Sequence, residues 1–478
     1  MEKIKTRFAP SPTGELHIGA ARTALFNYLF AKNQAGEFLL RIEDTDRERF
    51  IVGATERIIE SLSWLGIVPD NVDEPMVQST RLEKYRAAAE TLIKNGDAYV
   101  CTCSKEELGA ERQNQIAKNL PPKYSGKCRE KSQITRGKSQ TNQKFEIPNG
   151  AVFRMKMPES GKIVVEDLIR GQVEFDAGLL DDQIIIKSDG FPTYHLASVV
   201  DDHEMEITHV LRAEEWLSST PKHLILYKMF GWTPPKFGHL SMILGPDQAK
   251  LSKRHGATSV LEYRDEGYLP AAIDNFIALL GWNPKTEREI FTLPELVREF
   301  KIENVNKSAA VFDIEKLNWM NADYIKNQIS KIKMTDENSK ILEKWGYKKL
   351  SNDELELIGR GGFRTLRDVA HFLDDLYEEP EYNAELLIFK KSDFGKTKTG
   401  LEKSAEKLSA LENWDEENLE KILAEVVSEN NLTNGDVFWP VRVALSGSEK
   451  SPSPVELLVA LGKEESLERI QKAMSKLK

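Results

Sequence analysis

The sequence predicts an α/β protein: a parallel-sheet domain, interrupted by an α+β insertion and followed by a region built of helices. Three observations predict it. A strand–helix–strand rhythm opens the chain, that rhythm breaks over residues 94–186 and then returns, and beyond Gly256 almost every apolar repeat has helical spacing. At 478 residues the chain is too long for one core and should divide into roughly two to four domains.

The elements follow in order. Ile4, Arg7 and Phe8 read as a short strand that stops at "APSP", where prolines end ladder pairing. From His17 onward Ile18, Ala21, Leu25, Phe26, Leu29 and Phe30 recur at helical spacing, and Gly36 is expected to cap the helix. "EFLLRIED" reads as a buried strand and "GATERIIESLSWLG" as an amphipathic helix stopped by Gly66. Such a unit makes a right-handed crossover, and its sheet takes ligands at the strand carboxyl ends, against a helix N-terminus. Within the insertion lie the cysteines, a polar stretch from Ser132 to Gln143, and a hairpin pattern, "VVEDLIRGQVEFD", turning near Gly171. "QIIIKSDG" and "THVLRAEEW" restore α/β character. In the helical part Leu279, Leu280, Leu296, Val297, Leu317 and Trp319 are candidate core, and Asp374 to Tyr382 is a candidate joint. No internal repeat occurs.

Composition narrows the function. With 40% hydrophobic and 30% charged residues the chain reads as globular. "MEKIK" is followed by no apolar segment and no run is long enough to span a bilayer, so neither export nor a membrane is expected, and the cytoplasm is. Cys101, Cys103 and Cys128 are odd in number and local, which argues against a disulfide framework. Three thiolates suit Zn²⁺, which takes four ligands in a closed structural site; three reduced buried thiols are the plainer reading. The net charge of −10 disfavours a general affinity for nucleic acid, yet Lys118 to Lys144 holds eight Lys/Arg against one acidic residue, Glu130.

Two motifs carry chemistry. "PTGELHIG" lacks the glycine pattern of dinucleotide sites and the Gly-Lys-Ser/Thr of P-loops, but His17 and Gly19 stand at a helix start, where a phosphate can approach closely. "AKLSKRHGAT" sets Lys250, Lys253 and Arg254 around Ser252. Alone, the first is a chance pair and the second a solvated basic face. Their order on a sheet split by an insertion makes a more specific pattern.

That pattern resembles the class I aminoacyl-tRNA synthetases, whose signatures His-Ile-Gly-His and Lys-Met-Ser-Lys-Ser stand here as "HIGA" and "KLSKR", with Ala20 in place of a second histidine. "RFAPSPTGELHIG", "RIEDTD", "PTYHLASVVDDHEMEITHVLRAEEW", "KLSKRHGA" and "FWPVRVALSG" resemble the bacterial glutamyl-tRNA synthetase family, essentially end to end. The resemblance implies a Rossmann-type catalytic domain in two halves, 1–93 and 187–255, split by an acceptor-stem-binding insertion, 94–186. A helical stem-contact domain, 256–330, and an all-helical anticodon-binding region, 331–478, would follow. It also implies a monomer acting on L-glutamate, ATP with Mg²⁺, and tRNA(Glu). Glutamate attacks the α-phosphate, pyrophosphate leaves, and the acyl-adenylate passes to a ribose hydroxyl of the terminal adenosine. Such displacement rests on positioning and charge stabilisation.

By the same resemblance His17 and Gly19 hold phosphate oxygens, and Lys253 with Lys250 stabilises the departing pyrophosphate. Pro10, Thr13, Gly14 and Ser252 line the nucleotide, and Trp216 either lines the adenine or packs in the core. Arg7 and Arg212 are the carboxylate partners, because guanidinium forks match carboxylates; Arg212 takes the side-chain carboxylate. Glu43 pairs with the α-ammonium, and Ser11 and Tyr194 add hydrogen bonds, while Asp44 and Asp46 read as caps. Ser198 stands where some relatives carry Asn. Zinc-bearing relatives resemble the Cys101, Cys103, Tyr124, Cys128 spacing, with Tyr124 or Glu130 as fourth ligand. Arg360, in "GRGGFRTL", is the candidate reader of the last anticodon base. Competing readings are a form that also charges tRNA(Gln), a truncated relative that modifies a base of tRNA(Asp), an inactive tRNA-binding paralogue, and a small-substrate nucleotidyltransferase. The paralogue would be expected to lose His17 or Lys253, and neither the transferase nor the truncated relative needs the long helical region.

Overall fold

The computed structural model describes residues 3–120, 122–129, 150–251, 254, 259–329, 357–449 and 451–477. Ser252, Lys253, Glu130 and the basic run beyond Arg129 lie outside the described residues. The chain divides into two compact units, Met1–Leu261 with Ile277–Phe312, and Glu262–Phe276 with Asp313–Lys478.

In the first unit, β1 (Lys5–Phe8), α1 (Ile18–Asn33) and β2 (Glu37–Ile42) form the expected crossover, with Lys5 opposite Glu37 and Phe8 opposite Leu40 in a parallel ladder. Both strands bury nearly every residue, as central parallel strands do, so alternation is weak. α2 (Ala54–Trp64) follows, and β3 (Met76–Val77) extends the sheet beyond β2 before α3 (Leu82–Asn95). β4 (Ala98–Cys101) pairs antiparallel with β5 (Val152–Met155), and α4 (Lys105–Ala117) begins at a Ser104–Glu107 capping box. β6 (Lys162–Asp167) and β7 (Gly171–Asp176) make the predicted hairpin, while β8 (Ile184–Ile186) pairs with β5. After α5 (Tyr194–Glu204), the strands β9 (His209–Ala213) and β10 (Lys236–Leu240) run parallel, connected by α6 (Thr220–Phe230).

β6 joins β10 in parallel, with Asp167 opposite Phe237. The hairpin therefore extends the β9–β10 sheet, and the β4–β5–β8 sheet stands apart. The halves meet where Thr208 N donates to Lys5 O at 3.0 Å. Buried Asn27 of α1 reinforces this seam: its carbonyl accepts from Thr6 Oγ1 at 3.0 Å and its Nδ2 donates to Leu211 O at 2.9 Å. The progression of the sheet reverses at β1 and β9, the place where open α/β sheets bind ligands.

Among its described residues the second unit contains helices and no strand. α7 (Leu366–Tyr377), α8 (Phe394–Ala410), α9 (Glu416–Glu429), α10 (Asn434–Ser446) and α11 (Pro454–Lys476) make up most of it. Arg469 of α11 donates to the carbonyls of Asp375, Leu376, Glu378 and Leu445, satisfying the orphan C-terminal groups of α7 and α10. No helix among the described residues is long and apolar enough to cross a membrane.

Two local expectations fail for physical reasons. Trp319 is 50% exposed rather than core. Its helix, Ile314–Tyr324, buries Leu317, and a residue two positions further is turned roughly 200° away. At the end of α1 the left-handed residue is Ala35, with φ of 51°, not Gly36. Gly36 is there for a close approach: a Cβ at that position would collide with the backbone oxygen of Ile4, where β1 begins. Gly36→Ala should therefore destabilise the first unit by about 1–3 kcal/mol. A thermal melt followed by circular dichroism tests it, and an unchanged midpoint would mean that β1 yields without cost.

Candidate active site

His17 is the N-cap of α1, and its Nδ1 accepts from Ala20 N at 3.1 Å. With Nδ1 accepting, the neutral ring carries its proton on Nε2 and can donate outward. The ring reaches solvent yet is set among protein atoms; this burial, and then the positive charge of Lys250, lower its pKa and keep it uncharged near neutrality. A Cβ at Gly19 would lie 3.2 Å from two atoms of the His17 ring, so glycine leaves room for the ring over the first turn. Gly14 has φ of 155° and faces open space, with nothing within 4 Å of an added Cβ. The loop containing it is tethered, since Pro10 O accepts from Glu43 N at 2.9 Å and Pro12 O from Ile51 N at 3.0 Å. Ser11 and Thr13 are exposed on that loop.

The segment that follows the second motif returns beside the first. Ser259 bridges to His17, and Val260 N donates to Leu16 O at 2.9 Å. Lys250 sits in a tight return held by Gly245 N to Ala249 O at 2.8 Å, and its Nζ pairs with Glu215 at 3.1 Å. Its charge reaches His17.

On the other side, at the carboxyl end of β9, Arg212 is 5% exposed and its donors are all engaged. Nε donates to His239 Nε2 at 3.0 Å, Nη1 to Tyr194 Oη at 2.7 Å and toward His223 Nδ1 at 3.5 Å, Nη2 to Thr220 Oγ1 at 2.8 Å and Trp216 O at 3.1 Å. Each partner is neutral: burial, then the Arg212 charge, hold His223 well below its ordinary pKa. Trp216 is 38% exposed, with its ring 4.4 Å from that of Tyr194, so it forms a wall of this site rather than core.

Arg7 behaves differently. Its Nε donates to Asp202 Oδ1 at 3.0 Å, and Arg41 Nη1 donates to the same oxygen at 2.5 Å. Arg41 also holds Glu43 through Nη2 at 2.9 Å and meets Ser198 Oγ at 3.3 Å. Burial would raise the pKa of Asp202, but Arg41 and Arg7 outweigh it and keep the carboxylate ionised. Glu43 keeps a raised pKa because its burial outweighs Arg41 and Arg7. Arg41, Asp202, His239 and Asp167 were not singled out from the sequence. The doublet Asp201–Asp202 inside a helix pattern was the available signal. Asp44 accepts from Ser79 N at 2.8 Å and Asp46 from Arg49 Nε at 2.7 Å, so neither caps α2, whose N-cap is Gly53.

Elsewhere in the first unit the Sγ atoms of Cys101, Cys103 and Cys128 lie within 4.8 Å of one another. Thiolates on a tetrahedral Zn²⁺ are separated by roughly 3.8 Å, so the three sulfurs fit one ion. Tyr124 Oη lies 3.5 Å from both Cys101 and Cys103 and accepts from Cys128 N at 2.9 Å. In the second unit Arg360 Nη1 pairs with Glu456 at 3.2 Å and Glu416 at 3.5 Å.

A reversing parallel sheet, with a histidine-capped helix on one side and a caged arginine on the other, has the features that a phosphate-bearing ligand and an acidic group call for. Residues 3–319 match the family described as tRNA synthetases class I (E and Q), catalytic domain, and residues 315–474 an anticodon binding domain. A glutamate–tRNA ligase of Dehalococcoides mccartyi is 44% identical, over 99% of this chain and 98% of the relative. A glutamate–tRNA ligase 2 of Thermoanaerobacter pseudethanolicus is 43% identical over 99% and 98%. The crystal structure of a glutamate tRNA ligase from Elizabethkingia meningosepticum, in complex with its amino acid, superposes with a TM-score of 0.81 at 34% identity over the full length of both chains. The chain belongs to the glutamate–tRNA ligases of the class I aminoacyl-tRNA synthetases, enzymes that attach glutamate to tRNA.

Gly19→Ala tests the phosphate side. The added methyl should shift the His17 ring by a small fraction of its width and lower kcat/KM by roughly threefold to tenfold without unfolding the chain. Steady-state charging kinetics, with a melting curve as control, would expose a wrong placement as an unchanged rate.

Proposed function

We propose that this enzyme activates L-glutamate with ATP and Mg²⁺ as glutamyl-adenylate and transfers the acyl group to tRNA(Glu), discriminating against tRNA(Gln), as a cytoplasmic monomer. The observation that carries the reading is Arg212: a buried guanidinium at a strand's carboxyl end, hydrogen-bonded only to neutral groups, suits a substrate carboxylate. Arg212 takes the side-chain carboxylate of glutamate, and Tyr194 presents its hydroxyl beside it. Arg7 and Glu43, with Ser11, take the α-carboxylate and α-ammonium. His17 donates from Nε2 to an ATP phosphate oxygen, and Pro10, Thr13, Gly14 and Gly19 let the nucleotide approach the backbone. Lys250, with Ser252 and Lys253 of the same motif, offsets charge on the departing pyrophosphate, and Trp216 lines the adenine side. Mg²⁺ bound with ATP would supply further charge neutralisation.

Residues 1–93 and 187–255 form the catalytic halves, 94–186 the acceptor-stem insertion, 256–330 the stem-contact domain and 331–478 the anticodon region. A structural Zn²⁺ would be held by Cys101, Cys103 and Cys128, with Tyr124 as the fourth group, and would brace the insertion. Arg360 reads the last anticodon base.

Charging of labelled glutamate onto tRNA(Glu) and tRNA(Gln) in parallel tests the specificity. Only tRNA(Glu) is expected to be charged, and Arg360→Gln should relax that discrimination; charging of both by the unaltered enzyme would remove the role given to Arg360. Metal analysis of enzyme purified without chelator should return about one zinc per chain, and Cys103→Ser should lose it. Well under one zinc would leave three reduced thiols.

A further inference from the structure

Behind Arg212 lies a pair of buried groups that the mechanism has not used. His239, on β10 beside β9, has no exposed side-chain surface, and neither has Asp167 at the end of β6. Arg212 Nε approaches His239 Nε2 at 3.0 Å. An Nε–H of arginine is always a donor, so His239 Nε2 has to present its lone pair. The ring proton therefore sits on Nδ1, which lies 2.5 Å from Asp167 Oδ2 and donates to it. Thr220 Oγ1, at 3.2 Å, is a second group facing the same Nε2.

Asp167 has no freedom to do otherwise. Its Oδ1 accepts three backbone donors, Ile169 N at 2.9 Å, Arg170 N at 2.8 Å and His239 N at 3.2 Å. These contacts fix the carboxylate in the turn of the β6–β7 hairpin and leave Oδ2 for the imidazole. We propose that Asp167 and His239 form a tautomer lock that positions Arg212: Asp167 holds the His239 proton on Nδ1, so that Nε2 accepts from Arg212 and aims its guanidinium at the substrate carboxylate. His239 and Asp167 are positioning residues, acting on glutamate through Arg212. The separation also has an electrostatic consequence, because Asp167 reaches Arg212 only through a neutral ring. A carboxylate in direct contact with Arg212 would compete with the substrate's; one placed behind an imidazole orients the cation and leaves its charge available.

The inference rests on the assignment of Arg212 to glutamate, and one substitution separates the two. In Asp167→Asn the oxygen must stay with its three backbone donors, so the amide NH₂ faces His239 Nδ1. The imidazole then has to accept at Nδ1 and carry its proton on Nε2, directly against the Nε–H of Arg212. The folded variant should raise the KM for glutamate roughly tenfold or more, with the KM for ATP held within about twofold. The tautomer itself is read by nitrogen NMR of the unaltered enzyme labelled at histidine with the heavy isotope, with His239 assigned by comparison with His239→Gln. A protonated Nδ1 and a bare Nε2 are expected. A protonated Nε2 in the unaltered enzyme overturns the proposal, whether or not the variant folds. So does a folded Asp167→Asn enzyme with an unchanged KM for glutamate, or with glutamate and ATP weakened alike. Arg212→Ala serves as the control: if it leaves the KM for glutamate unchanged, the assignment of Arg212 has failed, and if it raises that KM while Asp167→Asn does not, only the lock has.

Discussion

Asp202 accepts from two arginines carried on neighbouring strands, and the ligand edge of the sheet depends on that one carboxylate. Arg7 comes from β1 and Arg41 from β2, while Asp202 belongs to α5, which is contributed by the far half of the domain. None of the three is more than slightly exposed. Removing one partner of such a buried set strands an uncompensated charge, a far larger loss than that of a surface pair. The neighbouring Asp201 turns mainly elsewhere, since consecutive positions on a helix point about 100° apart, although its Oδ2 still lies 3.9 Å from Arg41 Nε. Asp201 accepts from Arg81, Gln78 and Tyr85 on the side of α3. Between them the two aspartates fasten α5 across the end of the sheet, which fixes where Arg7 and Glu43 can point.

The two arginines of the site illustrate opposite uses of burial. Arg7 is neutralised within the protein by Asp202 and shares a charge-balanced cluster with Arg41 and Glu43. Arg212 is surrounded by hydrogen-bond acceptors that satisfy its geometry without neutralising it. The result is a mixed-charge end and a purely cationic end, the pair that the proposed binding of an amino acid with two carboxylates and one ammonium would use. The aromatic and histidine groups around Arg212 supply acceptors that are uncharged at neutral pH: burial lowers the pKa of His195 to about 3 and also that of His239.

The seam between β1 and β9 explains how distant motifs become one site. Thr6, Asn27 and Leu211 are joined through buried hydrogen bonds across about two hundred residues of sequence. Elsewhere in the unit Val260 returns to Leu16, which brings the segment after the basic motif against the histidine cap of α1. The hairpin of β6 and β7 completes the back of the site by pairing with β10, although in the chain it lies inside the stretch that interrupts the sheet. In the second unit, Arg469 does comparable work for helix ends by satisfying four carbonyls at once.

The sequence by itself determined the crossover unit of β1, α1 and β2, the hairpin near Gly171, the helical character of the last part, and the motifs around His17, Lys250 and the cysteines. These are local: apolar spacing, prolines and glycines, and short runs of chemically distinctive residues act over a few positions. Arg7, Arg212, Tyr194 and Glu43 were picked out only by family resemblance, because nothing in their own spacing says which arginine is held by an aspartate and which by neutral groups. Tertiary structure decided that Arg7 shares Asp202 with Arg41, that Arg212 stands on His239 and Asp167, that Gly36 makes room for Ile4 and that Trp319 faces outward. Each of those depends on which strands become neighbours and which face of a helix turns inward. Such pairings are set by burial and hydrogen bonding among groups far apart in the chain, and no local pattern encodes them.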